Sequence, residues 1–304
     1  MKPRVAVTLG DPRGIGPEIA AAVLADPPPG AVFVVIGPAE LTSGIPGEKA
    51  EVGTTERLTD APLNAGYTAE EAGRVAGACV EKAAELALAG DVAAIVTAPV
   101  DKRALNLAGY RYPGLTEMLA QLAGGVENAM MLASDKLKVV LATTHLPLRE
   151  AVTSLSTDRL VRVGEITRRS LVEQWCIPEP RLALCAVNPH AGEDGLFGSE
   201  DEDIVAPAAR ALAATGPLPA DTVFVRAMRG EFDAVIAPYH DVGMTAIKVA
   251  SFGEAVNVTL GLPFVRTSPD HGTAMDIAGK GVANSSSMRR AVALAIELVG
   301  RRAP

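Results

Sequence analysis

Short apolar runs alternate along the chain with longer segments that have the hydrophobic spacing of helices. Each run is of strand length and rich in Val, Ile, Leu and Ala, which predicts a buried β-strand. Helices are predicted over residues 69–89, from about 158 to 175, and over 287–299. Because strands that alternate with helices favour a largely parallel sheet, the pattern predicts the α/β class. The predicted strands are residues 5–9, 32–36, 93–96, 138–142, 181–187 and 234–237.

A glycine-rich loop joins the first predicted strand to a helix that continues from Pro17. Gly10, Gly14 and Gly16 are not spaced as G-x-G-x-x-G, and no acidic residue ends the second strand at the distance expected for a dinucleotide site. A tight structural turn is therefore the preferred interpretation of this loop.

Polar residues mark the ends of several predicted elements. Asp101 is interpreted as a helix cap, with a role in a catalytic cleft for Asp101 and Lys102 as the alternative. Thr116 stands where an N-cap or an anion contact would lie, and Ser199 is expected to cap a helix with an acidic first turn. Residues 217–221 are expected to lead into a short strand.

The region between the last predicted strand and the closing helix is the densest in chemical groups. His240 and Asp241 follow the strand directly, where loops of an open α/β sheet bind ligands. Lys248, Asn257 and Arg266 follow at equal spacing, and the two cations suit an anionic substrate. Solvated surface charges are the alternative interpretation for any one of the three.

Three of the four histidines share one local context. His145, His190 and His240 each follow an apolar strand by a few residues and lie within two residues of a proline. Parallel strands present their carboxyl ends at one edge, so the three imidazoles are predicted to converge on a catalytic metal, most typically zinc. Cobalt, nickel, manganese and magnesium are alternatives. Their wide separation excludes a zinc finger or an H-E-x-x-H site, and three unrelated histidines are the competing interpretation.

Length and charge restrict the class of protein. With 304 residues and 48% hydrophobic residues, the chain is expected to form roughly two globular domains. The net charge of −8, the 4% aromatic content and the lack of a basic run argue against a nucleic-acid partner.

Cysteine usage and hydropathy suggest the compartment. Cys79, Cys176 and Cys185 are odd in number and form no C-x-x-C pair, which suits buried thiols in a reducing environment. The start of the chain reads as a strand rather than a signal peptide, and no apolar stretch reaches the length of a membrane span. We therefore expect a cytoplasmic protein without a membrane partner.

A series of motifs in order along the chain resembles the 4-hydroxythreonine-4-phosphate dehydrogenase family of pyridoxal phosphate biosynthesis. The resemblance covers nearly the whole chain. Its motifs are GDPRGIGPE at 10–18, TAPV at 97–100, PGLTE at 113–117, TTHLPL at 143–148, NPHAGE at 188–193, GPLPADT at 216–222, YHD at 239–241 and RTSPDHGTA at 266–274.

The resemblance implies a fold and an assembly. It implies two α/β/α domains with a largely parallel sheet, like those of the isocitrate and isopropylmalate dehydrogenases. Residues 1–120 with 250–304 would form a discontinuous nucleotide-binding domain, and residues 121–249 a domain for metal, substrate and dimerisation. The expected assembly is a homodimer with a shared active site.

The family also implies roles for individual residues. Its three metal-binding histidines match His145, His190 and His240, with one contributed across the dimer interface. A small anionic substrate would be held by the matching positions Thr116, Asp221, Asp241, Lys248, Asn257 and Arg266. Among these, Lys248 beside Asp221 and Asp241 is the candidate for proton transfer, so the three are interpreted as catalytic.

The block near the C-terminus is similar to the adenosine pocket of the isocitrate and isopropylmalate dehydrogenases. An aspartate at the position of Asp276 accepts hydrogen bonds from ribose hydroxyls and repels a 2′-phosphate, which implies NAD rather than NADP. A helix cap is the alternative interpretation of Asp276. The expected cofactor-binding residues are His271, Gly272, Thr273, Ala274, Asp276 and Asn284.

One position departs from the family pattern. Leu115 stands where biosynthetic members have a histidine that helps to hold the substrate phosphate. Since leucine neither donates a hydrogen bond nor carries charge, the substrate is left open.

Three functions follow as expectations. The first is a metal-dependent, NAD-linked oxidation and decarboxylation of a β-hydroxy acid, namely 4-hydroxythreonine 4-phosphate or a threonate or erythronate phosphate. The second is the corresponding reaction on an aromatic cis-dihydrodiol dicarboxylate of terephthalate degradation, where Leu115 would face a ring. The third is a non-catalytic metal- or nucleotide-binding protein.

Overall fold

The computed structural model describes residues 2–52, 66–251 and 254–302. The chain forms two compact units: a first unit of Met1–Val126 with Leu262–Pro304, and a second unit of Glu127–Gly261. The N- and C-terminal segments thus share one unit, and both observed boundaries lie later in the chain than the expected ones. The expected domain ranges also include residues 53–65, 252–253 and 303–304, which lie outside the described residues.

Strands and helices alternate through most of the chain. The strands are β1 (Arg4–Thr8), β2 (Val32–Gly37), β3 (Glu48–Glu51), β4 (Ala94–Thr97), β5 (Ala129–Ala133), β6 (Lys138–Leu141), β7 (Leu182–Cys185), β8 (Thr215–Leu218), β9 (Ala234–Ala237), β10 (Val256–Leu260) and β11 (Val265–Pro269). The helices are α1 (Gly16–Ala25), α2 (Ala39–Thr42), α3 (Ala69–Leu88), α4 (Lys102–Leu107), α5 (Leu115–Leu122), α6 (Leu148–Thr153), α7 (Thr157–Glu173), α8 (Ala206–Ala211), α9 (Ala220–Met228), α10 (His240–Ser251) and α11 (Ser286–Arg302).

The first unit is built on five parallel strands in the order β3-β2-β1-β4-β11. Helix α11 packs on β11 and β4, and α3 packs on β1 and β2. A capping box begins α3, in which Thr68 Oγ1 accepts from the Glu71 backbone N–H and Glu71 Oε2 accepts from that of Thr68. Helix α3 approaches α4 so closely that a Cβ on Gly73 would lie 1.9 Å from Ala104 O. Only glycine fits at this contact.

The second unit has strands in the order β10-β5-β6-β9-β7-β8. Strand β5 is antiparallel to both of its neighbours, whereas β6, β9, β7 and β8 are parallel. Its core includes Leu132, Val139, Leu141, Val235 and Ile247, all at most 3% exposed. The parallel strands therefore present the carboxyl ends of β6, β9 and β7 at one edge, as the histidine context required.

Each predicted apolar run overlaps a strand, and the predicted helices are found with small shifts at their ends. The strand expected after residues 217–221 is wrong: β8 ends at Leu218, and α9 begins at Ala220 and continues to Met228. Val223, Phe224 and Ala227 are buried at helical spacing, so packing of this face favours the helix.

Ser199 directly precedes a helical segment, and its carbonyl oxygen accepts from the N–H of Asp203 at 2.8 Å, but the segment differs from an ordinary α-helix. A π-helical turn over Asp201–Val205 precedes α8, and the carboxylate of Asp201 is buried. Its two oxygens accept from the backbone N–H groups of Val187, at 2.8 Å, and Asn188, at 2.9 Å. Asp201 thus pairs with the backbone N–H groups that follow β7, and its carboxylate does not serve mainly to complement a helix N-terminus.

Two of the three cysteines agree with the expectation of buried thiols. Burial raises the pKa of Cys79 and of Cys185 to about 12, so both are unreactive at neutral pH. Cys176 is exposed, which corrects the expectation for that residue. In the part of the chain that the structure describes, no helix is long and apolar enough to cross a membrane.

Candidate functional site

The loops that follow β6 and β9 are joined where these strands end in the second unit. The buried hydroxyl of Thr143 donates to the carbonyl oxygen of Pro238 at 2.9 Å, and the N–H of Ala142 donates to the carbonyl oxygen of Ala237 at 2.9 Å. These bonds hold the backbones that carry His145 and His240 close together.

The imidazole rings of His145 and His240 are paired. Their ring centroids are 5.6 Å apart and their planes are inclined by 44°. Two imidazoles bound to one tetrahedral ion, each with its nitrogen about 2.0–2.1 Å from the metal, have ring centroids roughly 5 Å apart. The pair therefore has a spacing that suits two ligands of a single divalent ion.

Asp241 orients the ring of His240. The Nδ1–H of His240 donates to Asp241 Oδ1 at 2.7 Å, which leaves Nε2 as the nitrogen with an available lone pair. Metal-binding histidines commonly donate their second nitrogen to a carboxylate in this way. Asp241, predicted as a catalytic residue, is thus placed where it fixes the tautomer of a predicted metal ligand.

Backbone strain marks two of the predicted ligands. His145 has φ of 38°, and in the loop after β7 His190 and Ala191 have φ of 52° and 59°. Residues other than glycine seldom adopt this left-handed region, and such conformations are concentrated at functional sites. The strain supports a specific role for both histidine loops.

His190 is not part of the histidine pair. Its ring lies beside that of Phe197, with centroids 6.3 Å apart. Among residues 2–52, 66–251 and 254–302, no three His, Cys, Asp or Glu side chains form a group that could hold a metal. A single chain therefore brings together two of the three predicted ligands, and the three-histidine site stays a prediction.

The other predicted residues of the second unit lie on three elements. Asp221 is exposed in the first turn of α9, and Lys248 is exposed in the last turn of α10. Asn257 lies on β10, and its Oδ1 is buried with no hydrogen-bond partner in the described structure. Because an unsatisfied buried acceptor costs about 1–3 kcal/mol, a ligand that donates a hydrogen bond would stabilise it.

Arg266 is a buried cation of the first unit. It lies on β11, is 4% exposed, and donates from Nη2 to Thr97 Oγ1 at 2.7 Å. Burial lowers its pKa to about 10, against the opposing effect of the Glu117 carboxylate, so the guanidinium stays charged at neutral pH. A buried charge is costly unless it meets an opposite charge, which suits an anion-binding role.

The first turn of α5 differs from the prediction. The N-cap is Gly114, which has no side chain to cap the helix, and Thr116 is the second helical residue. Because Gly114 occupies the N-cap position, the cap interpretation of Thr116 is wrong. Thr116 is half-buried, and its contact with an anion stays a prediction. Leu115 is only 7% exposed, because it begins the buried face that continues in Met118 and Leu119.

The block predicted to bind adenosine packs against the N-terminal glycine loop of the first unit. The N–H of Ile15 donates to the carbonyl oxygen of Thr273 at 2.9 Å, and a Cβ on Gly14 would lie 2.7 Å from that oxygen. Gly14 is therefore needed for this contact. His271, Gly272 and Asp276 are exposed, and Thr273 and Ala274 are half-buried.

The helix-cap interpretation of Asp276 is wrong, because Asp276 lies in a turn outside any helix. Asn284 has a capping contact instead: its Oδ1 accepts from the N–H of Ser286, at 2.8 Å, where α11 begins. A structural role thus accounts for Asn284 at least as well as contact with a cofactor.

Glu18 is a residue that the sequence reasoning did not single out, although its motif GIGPE was noted. Its Oε2 accepts from the N–H of Gly279 at 3.0 Å and its Oε1 from that of Ala283 at 3.2 Å. One carboxylate therefore holds both ends of the loop that follows Asp276.

Glu18→Ala is expected to weaken the binding of NAD, the predicted cofactor, by roughly tenfold or more, because the loop loses two charge-assisted bonds and would have to be ordered on binding. Calorimetric titration with NAD measures the effect. Glu48→Ala is the matched control, since Glu48 pairs with Arg4 on the surface of the same unit. Unchanged NAD affinity in Glu18→Ala would contradict the role of this loop.

A charge network missed by the sequence reasoning fixes the glycine loop. Asp11 is fully buried and receives Arg13 through Nε at 3.1 Å, Nη2 at 2.8 Å and the backbone N–H at 2.9 Å. Arg13 Nη2 also donates to Asp101 Oδ2 at 3.0 Å, and the pKa of Arg13 is raised by its bond to Asp11. Asp101 caps α4 by accepting from the N–H of Arg103, as predicted.

This chain is similar to known proteins over nearly its whole length. The D-threonate 4-phosphate dehydrogenase of Salmonella typhimurium is 44% identical over 97% of this chain and 98% of its own length. A crystal structure of 4-hydroxythreonine-4-phosphate dehydrogenase from Klebsiella pneumoniae is 42% identical, covers 98% of each chain and has a TM-score of 0.88. A terephthalate 1,2-cis-dihydrodiol dehydrogenase from Burkholderia xenovorans is 29% identical, covers 97% of this chain and 98% of its own, and has a TM-score of 0.70.

These likenesses confirm both the predicted α/β fold class and the resemblance from which it was drawn. The family model described as pyridoxal phosphate biosynthetic protein PdxA matches residues 33–295. By this match, and by its identity to dehydrogenases over nearly their full length, the chain belongs to the PdxA family.

Proposed function

We propose that this protein is an NAD-dependent, divalent-metal-dependent dehydrogenase that oxidises and then decarboxylates a phosphorylated four-carbon β-hydroxy acid. The observation that carries the proposal is the His145–His240 pair, with rings 5.6 Å apart and Asp241 bonded to the second nitrogen of His240. A protein that only bound nucleotide would have no need of such a pair. The names of its relatives, which are dehydrogenases, support catalysis rather than binding alone.

In the proposed reaction, bound NAD would accept a hydride from the carbon that bears the secondary hydroxyl, and the hydroxyl proton would go to a base. The bond to the carboxylate then breaks, CO₂ leaves, and the electron pair that stays behind forms an enolate that takes up a proton. A divalent ion held by His145 and His240 would supply Lewis acidity that stabilises negative charge on the substrate. Zinc is the expected ion, because the proposed ligands are imidazoles.

We assign proton transfer to Lys248, with Asp221 as a neighbouring acid. Arg266, Asn257 and Thr116 are assigned to binding of the anionic groups of the substrate. The burial of Arg266 and the unsatisfied Oδ1 of Asn257 support these assignments. The residues proposed to bind the cofactor are His271, Gly272, Thr273, Ala274 and Asp276, and Asp276 favours NAD over NADP. Asn284 has the weakest support as a cofactor ligand, because its Oδ1 already caps α11.

The proposed assembly is a homodimer in which the third imidazole of the metal site comes from the partner subunit. The support is that one chain pairs only two of its predicted ligands. We place the enzyme in the cytoplasm, in line with its two buried thiols.

Two substrates of the first class are candidates: D-threonate 4-phosphate and 4-hydroxythreonine 4-phosphate. The relatives named for them are 44% and 42% identical to this chain, against 29% for the terephthalate dihydrodiol dehydrogenase. The dihydrodiol remains the second candidate because of Leu115. Its support is weaker than the sequence suggested, since the leucine side chain is buried.

A substrate panel tests the proposal. The protein, freed of metal by chelation, is assayed with each of the three substrates, with NAD or NADP, and with zinc, magnesium, manganese, cobalt or nickel added back. We expect reduction of NAD, with release of one CO₂ per NADH, only with a phosphorylated acid and only with metal. Turnover of the dihydrodiol alone would establish the second candidate, and full activity without metal would remove the metal from the mechanism.

A further inference from the structure

The loop that carries His190 has a strained backbone over six consecutive residues. This His190 loop, residues 187–198, follows β7 in the second unit. Four of the six are not glycine, and each such residue pays a steric cost in the left-handed region. A conformation of this kind persists only where the surrounding structure fixes it. The six residues and their φ angles are His190 (52°), Ala191 (59°), Gly192 (83°), Glu193 (43°), Asp194 (54°) and Gly195 (88°).

Hydrogen bonds inside the loop shape the turn. The N–H of Phe197 donates to the carbonyl oxygen of Gly192 at 3.1 Å, and that of Leu196 to the carbonyl oxygen of Glu193 at 3.1 Å. They accompany the placement of the Phe197 ring beside that of His190. Because these bonds join neighbours within the loop, they would move with it, and a contact with the rest of the unit is needed to hold it in place.

Asp201 provides that contact. Its side chain is buried, with the residue 1% exposed, and its two oxygens accept from the backbone N–H groups of Val187 and Asn188, directly before the turn. A buried carboxylate is costly unless it is well hydrogen-bonded. Here both oxygens are used on one short stretch of backbone, so the carboxylate fixes the point from which the His190 loop leaves β7.

The element that carries Asp201 is itself fixed to the second unit. Asp201 begins the π-helical turn that ends at Val205, which is fully buried. The hydroxyl of Thr157, at the start of α7, donates to the carbonyl oxygen of Ile204 at 3.0 Å. Isolated π-helical turns are rare and occur frequently at functional sites. Asp201 is therefore a fixed support for the loop.

A second contact joins the two ends of the His190 loop. Asn188 Nδ2 donates to Glu200 Oε2 at 2.8 Å. Gly198 lies against this pair, since a Cβ there would be 2.5 Å from Glu200 Oε2 and 3.0 Å from Asn188 Nδ2. The start and the end of the loop thus meet at the carboxylate of Glu200.

We propose that Asp201 is a positioning residue for His190, and that it holds the loop in the conformation in which this imidazole binds the divalent ion. The role rests on the proposed function, and Asp201 acts through the backbone of Val187 and Asn188 rather than by contact with the metal. Glu200 supports the same loop through Asn188.

Asp201→Asn is expected to lower the affinity for zinc by roughly tenfold, the lower end of the effect of residues that orient metal ligands. Asparagine has nearly the same shape and keeps one acceptor oxygen, but its amide N–H₂ would face a backbone N–H. Faster amide hydrogen exchange is expected at Val187 and Asn188. Competition with a chelating zinc indicator measures the affinity of the metal-free protein, and mass spectrometry follows the exchange.

Two further variants complete the test. Asp203→Asn makes the same chemical change at an exposed position of the same turn, and is expected to leave zinc affinity and exchange unchanged. Glu200→Ala removes the bond from Asn188 at a half-buried position, and is expected to weaken zinc binding by a smaller factor, roughly threefold. If Asp201→Asn does not fold, unchanged zinc affinity in folded Glu200→Ala overturns the anchoring of the loop.

His190→Ala separates this proposal from the function on which it rests. Weaker zinc binding in both His190→Ala and Asp201→Asn, but not in Asp203→Asn, supports Asp201 as a positioning residue. Wild-type zinc affinity in folded Asp201→Asn, together with a loss in His190→Ala, would reject Asp201 and leave the three-histidine site intact. Wild-type zinc affinity in His190→Ala would remove this imidazole from the proposed metal site, and the role of Asp201 with it.

Discussion

His240→Ala is expected to abolish metal-dependent NAD reduction, with a loss of kcat of roughly 10³-fold or more. Removal of one imidazole leaves His145 without the ring that lies 5.6 Å away, and Asp241 without its partner. A Lewis acid contributes several kcal/mol to the stabilisation of developing negative charge, and each 1.36 kcal/mol is a factor of ten in rate. Steady-state assays and metal analysis of the purified variant measure both effects.

The same variant provides its own control. The residues proposed to bind adenosine belong to the first unit, whereas His240 belongs to the second, so NAD affinity is expected to be unchanged. His240 is partly exposed, and the thermal unfolding temperature is expected to change little. Wild-type activity and zinc content in His240→Ala would show that the histidine pair does not bind the catalytic metal.

Arg13→Ala is expected to lower the free energy of unfolding by about 3–5 kcal/mol. Asp11 is fully buried, and the substitution leaves its carboxylate with only the backbone N–H of residue 13 as a donor among the bonds described above. Removal of one partner from a buried ion pair is strongly destabilising, because the remaining charge is desolvated without compensation. Urea unfolding followed by circular dichroism measures the change.

Arg181→Ala is the matched control for Arg13→Ala. Arg181 also forms a two-pronged contact with a carboxylate, Asp233, but its own side chain is 57% exposed. Exposed pairs contribute about 0.2–1 kcal/mol, so this control is expected to unfold close to wild type. A loss in Arg13→Ala no larger than in Arg181→Ala would show that the buried pair of Arg13 and Asp11 contributes no more to stability than an exposed pair.

Much of the fold follows from local patterns. The apolar runs correspond to strands because residues in the interior of a parallel sheet are apolar on both faces, as the fully buried β4 and β9 illustrate. Strands β3, β5, β10 and β11 were missed, and in the last two Asn257 and Arg266 interrupt the apolar sequence. Both are residues with proposed ligand contacts, and function there overrides the pattern.

The sequence predicts which residues could form the site but only part of their arrangement in space. The shared context of the three histidines located them at the ends of β6, β7 and β9, and the tertiary structure pairs only His145 with His240. The left-handed backbone at His145 and His190 has no local signal, because it depends on loops fixed from elsewhere. Asp201, which holds the backbone after β7, was interpreted as part of a helix.

The sequence by itself determined the α/β class, the candidate ligands and the family, because periodicity and motifs are properties of neighbouring residues. Only the tertiary structure decided which distant groups meet, such as Glu18 with Gly279 and Arg13 with Asp101. It also decided that Leu115 is buried, as part of the face of α5 that packs inward. The physical reason is that burial and charge pairing arise from contacts between segments far apart in the chain, which no local pattern encodes.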